Sequence, residues 1–454
     1  MSHSNKKDSF GSRMGFILAA AGSAVGLGNI WRFPYLAAKY GGGIFLLVYL
    51  ILACTFGFAL MITEVSLGRK TGKSVIGAYK DADRRFGFLG PVAAVVPFII
   101  TPYYCVIGGW VLKYLTVFVT GNGSTAADKG EYFTGFIGTV GSPMIFFIIF
   151  AILTALVVIL GVQKGIENIS KILMPLLILL IIGIAIYTMT LPDAGAGFKY
   201  YFIPDFETFS FSDLPKTLAG AVGQLFYSMS IAMGIMVTYG SYMRKEDSIE
   251  KSVRNIEIFD TAIAILAGLI IVPSVFVFSG GDPAALNKGP SLMFITLPNV
   301  FNSMQGGQII GSLFFVLVAL AALTSSISLL ETMVSIISEK FKLKRVVATI
   351  ICLVFLFVMG SFSVFGYSIW EDVTIFGYQI LDFFDFISNN MLMPIVAFLT
   401  CILIGYVAKT KYIADEVLIG ETNFKAEKLY NVMIKYVCPV FMIIILITPF
   451  IADI

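Results

Sequence analysis

The chain has 454 residues, of which 58% are hydrophobic and 13% are charged, and its mean hydropathy is +0.90. A single water-soluble core cannot bury so many apolar side chains, so lipid must be part of the protein's solvent. The net charge of +3 is too small and too scattered for a nucleic-acid-binding surface. The single histidine, His3, lies in a polar N-terminal segment, which argues against a histidine-ligated metal or a His-based catalytic triad.

Apolar stretches of about 20 residues are long enough to cross the hydrocarbon layer of a bilayer. The chain contains eleven such stretches, at 14–37, 43–69, 90–121, 143–161, 170–190, 217–240, 254–280, 308–338, 345–362, 378–407 and 432–451. They predict an all-α polytopic membrane protein with eleven transmembrane helices. A tail at 1–13 precedes a single membrane domain at 14–454.

Basic residues are concentrated in alternate loops. With a cytoplasmic N-terminus, the inner side receives the basic residues of the tail and of 69–85, 164–171, 244–254, 340–345 and 409–435. The outer loops then hold only Lys129, Lys199, Lys216 and Lys288. This asymmetry satisfies the positive-inside rule. We therefore expect a multi-pass protein of the inner (plasma) membrane with a cytoplasmic N-terminus and an extracytoplasmic C-terminus.

Two of the predicted spans contain an unusual density of small residues. The first includes Gly22 to Asn29, and the sixth includes Ser228 to Gly234. Glycine and serine weaken a continuous helix, and non-helical backbone at bilayer depth is tolerated only where it is buried in protein or lines a cavity. One interrupted span in each five-helix half predicts an inverted repeat with a binding site at the midplane. The alternative is that both runs are small-residue packing faces between helices.

The stretch from Ala20 to Tyr35, AAGSAVGLGNIWRFPY, closely resembles the first-helix signature of the neurotransmitter:sodium symporter family. Further matches follow in order at Gly41-Gly42-Gly43, Glu64, Tyr103-Tyr104, Gly223-Gln224, Phe226-Tyr227-Ser228 and Leu323-Thr324-Ser325-Ser326. The resemblance covers the first ten spans and implies the leucine-transporter fold. In that fold the first and sixth helices are unwound. They would belong to two repeats, at 14–190 and 217–407, and 432–451 would form the eleventh helix. The implied activity is sodium-driven uptake of amino acids or related amines.

The resemblance implies two bound sodium ions and no organic cofactor. Sodium is a hard cation that oxygen ligands hold best. The first ion would be held by the substrate carboxylate together with Ala24, Asn29, Ser228 and Asp260, and the second by Gly22, Val25, Ala321, Thr324 and Ser325. Taken alone, the hydroxyl of Thr324 or Ser325 would more often bond a carbonyl of its own helix one turn back.

The same resemblance implies a substrate site between the two broken helices. The substrate carboxylate would meet backbone N–H groups near Leu27 and Gly28, with the Tyr104 hydroxyl as a further donor. The predicted substrate-binding residues are Ala24, Gly26, Leu27, Gly28, Ile100, Tyr104, Tyr227, Ser228, Ser230, Met233, Ser325 and Leu329. Gly26 stands where monoamine carriers of the family place an aspartate, so the expected substrate is a small neutral or hydrophobic amino acid.

Asp260 departs from the family pattern, because an asparagine is usual at this position. A carboxylate inside a membrane is costly unless it meets a cation, so we expect Asp260 to face the first sodium ion. Chloride-dependent members balance charge there with an anion, so a fixed carboxylate predicts chloride-independent transport. The alternative is an aspartate near the cytoplasmic end of its helix that extends to water.

Four other charged residues are candidate gates. By resemblance, Arg32 and Asp385 pair across the outer pathway, and Lys7 and Glu339 pair across the inner one. Glu64 is expected to hydrogen-bond freed backbone groups of the broken helices.

The expected partners are a small amino acid and the lipid bilayer, with no nucleic acid, and the oligomeric state is left open. Three alternative functions stay open: an ion channel or substrate sensor with the same fold, a membrane enzyme, and a carrier of another osmolyte or amine. The enzyme is disfavoured because no nucleophile, base and orienting group occur together.

Overall fold

The computed structural model describes residues 9–192, 194–207, 209–278 and 290–451. Within these ranges the backbone is helical almost throughout, and the only extended pairing is one isolated bridge between Ile375 and Tyr378. The predicted all-α class is therefore confirmed.

Long apolar helices joined by short segments make up the first half of the chain. The first helix begins after Ser12, whose hydroxyl accepts a hydrogen bond from the Gly15 N–H at 3.0 Å. In order, the helices are α1 (Arg13–Ala24), α2 (Phe33–Lys39), α3 (Gly43–Leu52), α4 (Phe58–Thr71), α5 (Val75–Ala82), α6 (Leu89–Val119), α7 (Glu131–Ile137), α8 (Gly141–Ile159) and α9 (Asn168–Met189). Wide π-helical turns, Gly28–Arg32, Ala53–Gly57 and Val162–Glu167, lead into α2, α4 and α9.

The second half of the described chain is also built of helices, and their lengths vary widely. In order, it contains α10 (Ala194–Phe202), α11 (Leu214–Ser228), α12 (Ile235–Tyr242), α13 (Ile249–Phe278), α14 (Leu297–Ser303), α15 (Gly307–Phe341), α16 (Arg345–Gly366), α17 (Ile380–Asp385), α18 (Met393–Ile402), α19 (Lys411–Val417), α20 (Glu427–Val432) and α21 (Cys438–Ile451). The turns Phe386–Leu392 and Met433–Val437 make α17–α18 and α20–α21 nearly continuous. The division into two repeats stays a prediction.

The number of spans differs from the predicted eleven. Nine helical stretches of the described chain are long and apolar enough to cross a membrane, and the pair α1 and Gly28–Lys39, bent by 53°, can count as a tenth. The sixth predicted span consists of α11 and α12, with 15 and 8 residues, and neither reaches the roughly 20 residues that a span needs. The count of eleven is not confirmed, because the break in this segment leaves two short helices.

The first break follows Ala24. Val25 has an extended conformation, with φ −74° and ψ 98°, and its N–H still bonds to the Ala21 carbonyl at 2.7 Å. The wide turn Gly28–Arg32 then leads to α2. The helix therefore changes direction at Val25 and Gly26, which leaves the backbone groups around the bend free to face other elements.

The second break covers residues 229–234, between α11 and α12. Ser230, Ala232 and Gly234 all have positive φ, at 54°, 62° and 75°. Positive φ is costly for serine and alanine and persists only where the surroundings impose it. The Ala232 N–H donates to Glu64 Oε1 at 2.7 Å, so α4 supplies a partner that the broken helix lacks.

Both breaks lie at the centre of the bundle. Helix α1 packs against α9, α13 and α15, and α12 packs against α4 and α15. All residues of α1 from Ala19 to Ala24 are buried. The freed backbone groups are therefore enclosed by protein, as non-helical backbone inside a membrane requires.

Candidate functional site

A small cavity lies between the two breaks and helices α6 and α15. Its free volume is about 20 Å³, which is room for about one water molecule, so the walls must move apart to admit a larger ligand. Its walls are formed by Ser23, Ala24, Gly26, Leu27, Gly28, Ile100, Tyr104, Tyr227, Ser230, Met233, Ile235, Ser325 and Leu329.

Eleven of the twelve predicted substrate-binding residues line this cavity. Ser228 does not, because its side chain points at Asp260 instead. Two lining residues, Ser23 and Ile235, were missed. The Ser23 hydroxyl lies 3.1 Å from the Ser230 hydroxyl. Its position next to Gly22, in the small-residue run of the first span, could have indicated that Ser23 lines the site. Ile235 begins α12, and nothing in its sequence context distinguishes it from other apolar residues.

One end of the cavity presents hydrogen-bond donors. The Leu27 N–H donates to the Tyr104 hydroxyl oxygen at 3.3 Å, so the hydroxyl proton of Tyr104 is available to another acceptor. Only glycine fits at position 26, because a Cβ there would lie 2.6 Å from Ser325 Oγ and 2.9 Å from the Tyr104 hydroxyl. The backbone at the bend can therefore approach a bound carboxylate closely.

A buried polar cluster lies next to this end. Asn29 Nδ2 donates to Asp260 Oδ1 at 2.7 Å, and Ser228 Oγ donates to the same oxygen at 2.7 Å. Asn29 Oδ1 accepts from the Gly26 N–H at 3.2 Å, so one side chain connects the cavity wall to the cluster. Three of the four residues predicted for the first ion, Asn29, Ser228 and Asp260, thus lie together although they come from three separate helical segments. The fourth, Ala24, lines the adjoining cavity, and the ion site itself stays a prediction.

Asp260 is fully buried, which excludes the alternative of a carboxylate that extends to water. Its second oxygen, Oδ2, has no hydrogen-bond partner among the described residues. The buried Tyr49 hydroxyl also lacks one there, and it interacts electrostatically with Asp260. A carboxylate oxygen in this position is costly unless a cation lies beside it.

A second oxygen cluster surrounds Ser325. Its hydroxyl oxygen lies 3.4 Å, 2.9 Å and 3.2 Å from the carbonyl oxygens of Gly22, Ser23 and Val25. One hydroxyl has one proton, so it can satisfy only one of these three acceptors at a time. Such a surplus of converging oxygens suits a hard cation.

Thr324 and Ala321, also predicted for the second ion, bond to each other within α15, which is the alternative that the sequence left open for Thr324. The Thr324 hydroxyl donates to the carbonyls of Leu320 and Ala321 in its own helix, at 3.2 Å and 3.1 Å. Its side chain also faces the bend, since a Cβ on Gly22 would lie 3.2 Å from Thr324 Cβ. Within the described ranges no three His, Cys, Asp or Glu side chains form a metal-binding group. Both clusters instead consist mainly of neutral oxygens, which suits a monovalent cation.

The predicted outer gate lies above the cavity. The Arg32 guanidinium is 5.7 Å from the centre of the Tyr227 ring, and both Arg32 and Asp385 act electrostatically on Tyr227. Asp385 Oδ1 accepts from the Tyr103 hydroxyl at 3.2 Å and from Asn389 Nδ2 at 2.6 Å. Tyr227 therefore covers the cavity between the two predicted gate charges, and the Arg32–Asp385 pair stays a prediction.

The predicted inner gate can be described only in part. Lys7 lies outside the described residues, and Glu339 Oε2 accepts from the Ser74 N–H at 2.5 Å. On the same side of the bundle, Glu331 accepts from Arg345 and, at 2.7 Å, from the Tyr242 hydroxyl. These contacts join α5, α12, α15 and α16 on the side of the bundle that the positive-inside rule predicts to be cytoplasmic.

Comparison with known proteins agrees with this geometry. Residues 7–127 and 129–453 match the model of the sodium:neurotransmitter symporter family. The chain belongs to this family. It is 36% identical to the sodium-dependent transporter YhdH of Bacillus subtilis over 89% of both chains, and 32% identical to a sodium-dependent transporter of Haemophilus influenzae over 99% of both.

A solved structure of the same fold was also found. The crystal structure of MhsT in complex with L-phenylalanine matches with a TM-score of 0.87 at 36% identity, covering 97% of this chain and 99% of that chain. The leucine-transporter fold expected from the first-helix signature is therefore confirmed for this symporter. Its membership in a family of sodium-dependent transporters confirms the expected use of sodium.

Two neighbouring serines of α15 provide a test of the second cluster. Ser325→Ala removes a cluster oxygen and is expected to raise the sodium concentration for half-maximal substrate binding about tenfold. Ser326 is also buried but bonds the Thr154 hydroxyl at 2.8 Å, so Ser326→Ala should leave sodium dependence unchanged. Equilibrium binding of a labelled amino acid, chosen from a panel of twenty as one that the natural protein binds, is measured at graded sodium concentrations for both variants. Equal sodium dependence in the two variants would contradict the assignment.

Proposed function

We propose that this protein carries a small neutral or hydrophobic amino acid into the cell together with sodium. The observation that carries the proposal is the placement of the donor end of the cavity directly beside the Asp260 cluster. A carboxylate that accepts from the Leu27 N–H and the Tyr104 hydroxyl, in place of the bond between those two groups, would lie next to Asn29, whose side chain bridges Gly26 and Asp260. A cation at Asp260 and a carboxylate in the cavity would then stabilise each other.

An amino acid fits this cavity better than an amine without a carboxylate. None of the described residues that line the cavity is acidic, so nothing among them would pair with an amine that lacks its own counter-charge. The backbone donors at the bend instead favour an anionic acceptor. MhsT, the solved neighbour, was crystallised in complex with L-phenylalanine, which is a hydrophobic amino acid.

The cavity walls favour an aliphatic or aromatic side chain. Ile100, Met233, Ile235 and Leu329 present apolar surface opposite the donor end. Methionine is unbranched and flexible, so Met233 can adapt to side chains of different shape. The hydroxyls of Ser23, Ser230 and Tyr227 also admit a side chain with a polar tip.

Sodium would couple to the substrate through the two oxygen clusters. The first ion would complete its coordination with the Ala24 carbonyl, Asn29, Ser228, Asp260 and the substrate carboxylate, so each ligand would raise the affinity of the other. The second ion would bind both the carbonyls of the α1 bend and Ser325 of α15. It would thereby hold the broken helix in position against α15. Two ions per cycle is therefore the stoichiometry that we propose.

Transport would follow alternating access. Sodium and substrate would bind from outside, Tyr227 and the Arg32–Asp385 gate would close above them, and the inner gate would open beneath. Glu64 holds the Ala232 N–H and so keeps the second break in place as the neighbouring helices move. This direction of transport assumes a cytoplasmic N-terminus and an inner-membrane location, which the distribution of basic loops supports.

Transport is expected to be independent of chloride. The Asp260 carboxylate supplies a fixed negative charge at the first cluster, where its Oδ2 has no hydrogen-bond partner among the residues that the structure describes. With sodium bound, the charges there cancel without an added anion.

Uptake into proteoliposomes tests the proposed function. With an inward sodium gradient, we expect accumulation of at least one aliphatic or aromatic amino acid from a panel of twenty, and none when potassium replaces sodium. Binding without accumulation would indicate a sensor, and sodium currents without amino-acid uptake would indicate a channel. Either result would contradict the proposal.

Chloride replacement tests the role of Asp260. Replacing chloride by gluconate should leave the flux of the natural protein unchanged. In Asp260→Asn the fixed charge is lost, so flux should fall about tenfold or more in gluconate and recover in part when chloride is present. A steep loss of flux in the natural protein on removal of chloride would show that Asp260 does not replace the anion.

A further inference from the structure

The turn between α15 and α16 carries a dense cluster of positive charge. Its sequence from 340 to 345 is KFKLKR, and Lys340, Lys342 and Lys344 are all exposed. The chain reverses at Lys342, which has a left-handed conformation with φ 55°. The reversal brings three ammonium groups within five residues to one end of the bundle, on the side where the basic loops place the cytoplasm.

The charge of these three lysines is not balanced within the described part of the chain. None of them forms an ion pair there, and Lys340 only approaches the ring of Phe341, at 5.7 Å. The adjacent Arg345 differs, because it donates to the Glu331 carboxylate and, at 2.7 Å, to the Val158 carbonyl. The nearest acidic residue in sequence, Glu339, accepts from the Ser74 N–H. We call Lys340, Lys342 and Lys344 the basic turn.

An apolar surface adjoins the basic turn. Helices α8 and α16 pack together, with the Phe147 and Phe357 rings 6.0 Å apart and Arg345 bonded to the end of α8. Their outward faces expose large apolar side chains at helical spacing, namely Leu153, Leu156 and Leu160 on α8 and Val347, Ile351, Val354 and Val358 on α16. Exposed residues of this kind in a spanning helix face acyl chains.

We propose that the basic turn binds the headgroup phosphate of an anionic phospholipid whose acyl chains lie along α8 and α16. The juxtaposition of unbalanced lysines with a continuous apolar face matches the two parts of such a lipid. Phe341, with 58% of its surface exposed, lies between Lys340 and Lys342 in the turn and adds an apolar side chain beside the lysines. A zwitterionic lipid would bring a cation of its own to the lysines, so the turn should prefer a net negative headgroup.

This lipid would act on the transporter through α15. The basic turn is the direct continuation of the helix that carries Thr324 and Ser325. A lipid held there would restrain the cytoplasmic end of α15 and so influence the second oxygen cluster. The binding itself does not depend on which substrate is carried, so it can be tested separately from the proposed function.

Native mass spectrometry of the delipidated full-length protein tests the proposal. Phosphatidylglycerol and phosphatidylcholine with identical acyl chains are titrated in turn. The variant Lys340→Gln, Lys342→Gln, Lys344→Gln removes the basic turn. The control, Lys409→Gln, Lys411→Gln, Lys428→Gln, removes the same charge from exposed lysines elsewhere on the expected cytoplasmic side. Unchanged melting temperatures without added lipid would show that both variants fold.

The natural protein and the control should bind phosphatidylglycerol more tightly than phosphatidylcholine. The basic-turn variant should lose this preference, because its dissociation constant for phosphatidylglycerol should rise about fivefold for each lysine removed. An unchanged preference in that variant, or an equal loss in the control, would overturn the proposal. Competition by soluble glycerol phosphate would also overturn it, because the acyl chains would then play no part.

Discussion

Backbone hydrogen bonding inside a membrane is the constraint on which this structure depends. A continuous helix satisfies all of its own groups, and a broken helix must find partners in the surrounding protein. Here the two breaks face each other, and their free groups are met by side chains from α4, α6, α11, α13 and α15. Glu64 accepts from Ala232, Tyr104 accepts from Leu27, and Gln224 donates to the Gly28 carbonyl at 3.0 Å. The groups left without such partners define where ligands can bind.

The remaining hydrogen-bond donors and acceptors lie in different places. Donors at the bend of the first helix face the cavity, and acceptors collect at Asp260 and around Ser325. An anion and a cation are therefore attracted to neighbouring places, with the Asn29 side chain between them. Each would be poorly stabilised alone in a medium of low dielectric constant, because a single buried charge is costly. Coupling between sodium and substrate follows from this arrangement without any long-range signal.

Much of this architecture could be predicted from the sequence. Long apolar stretches indicated most of the spans. The density of small residues from Gly22 to Gly28 and from Ser228 to Gly234 indicated both breaks. The positive φ of Ser230 and Ala232 could not be predicted, since local preference opposes it and the distant Glu64 helps to impose it. Ser228 was expected both in the cavity wall and beside Asp260, and tertiary packing orients it toward Asp260 alone. The predicted number of spans is not confirmed, because hydropathy does not show how far a broken segment stays helical.

The reciprocal effect of sodium and substrate on each other's binding tests the central claim most directly. Calorimetric titration into the purified protein, with the amino acid that the uptake panel identifies, should give a dissociation constant at least about tenfold lower in sodium than in potassium. Titration of sodium with and without that amino acid should give the same factor, because coupling between two sites is reciprocal. Equal affinity for that amino acid in sodium and potassium would show that the oxygen clusters and the cavity do not form one site.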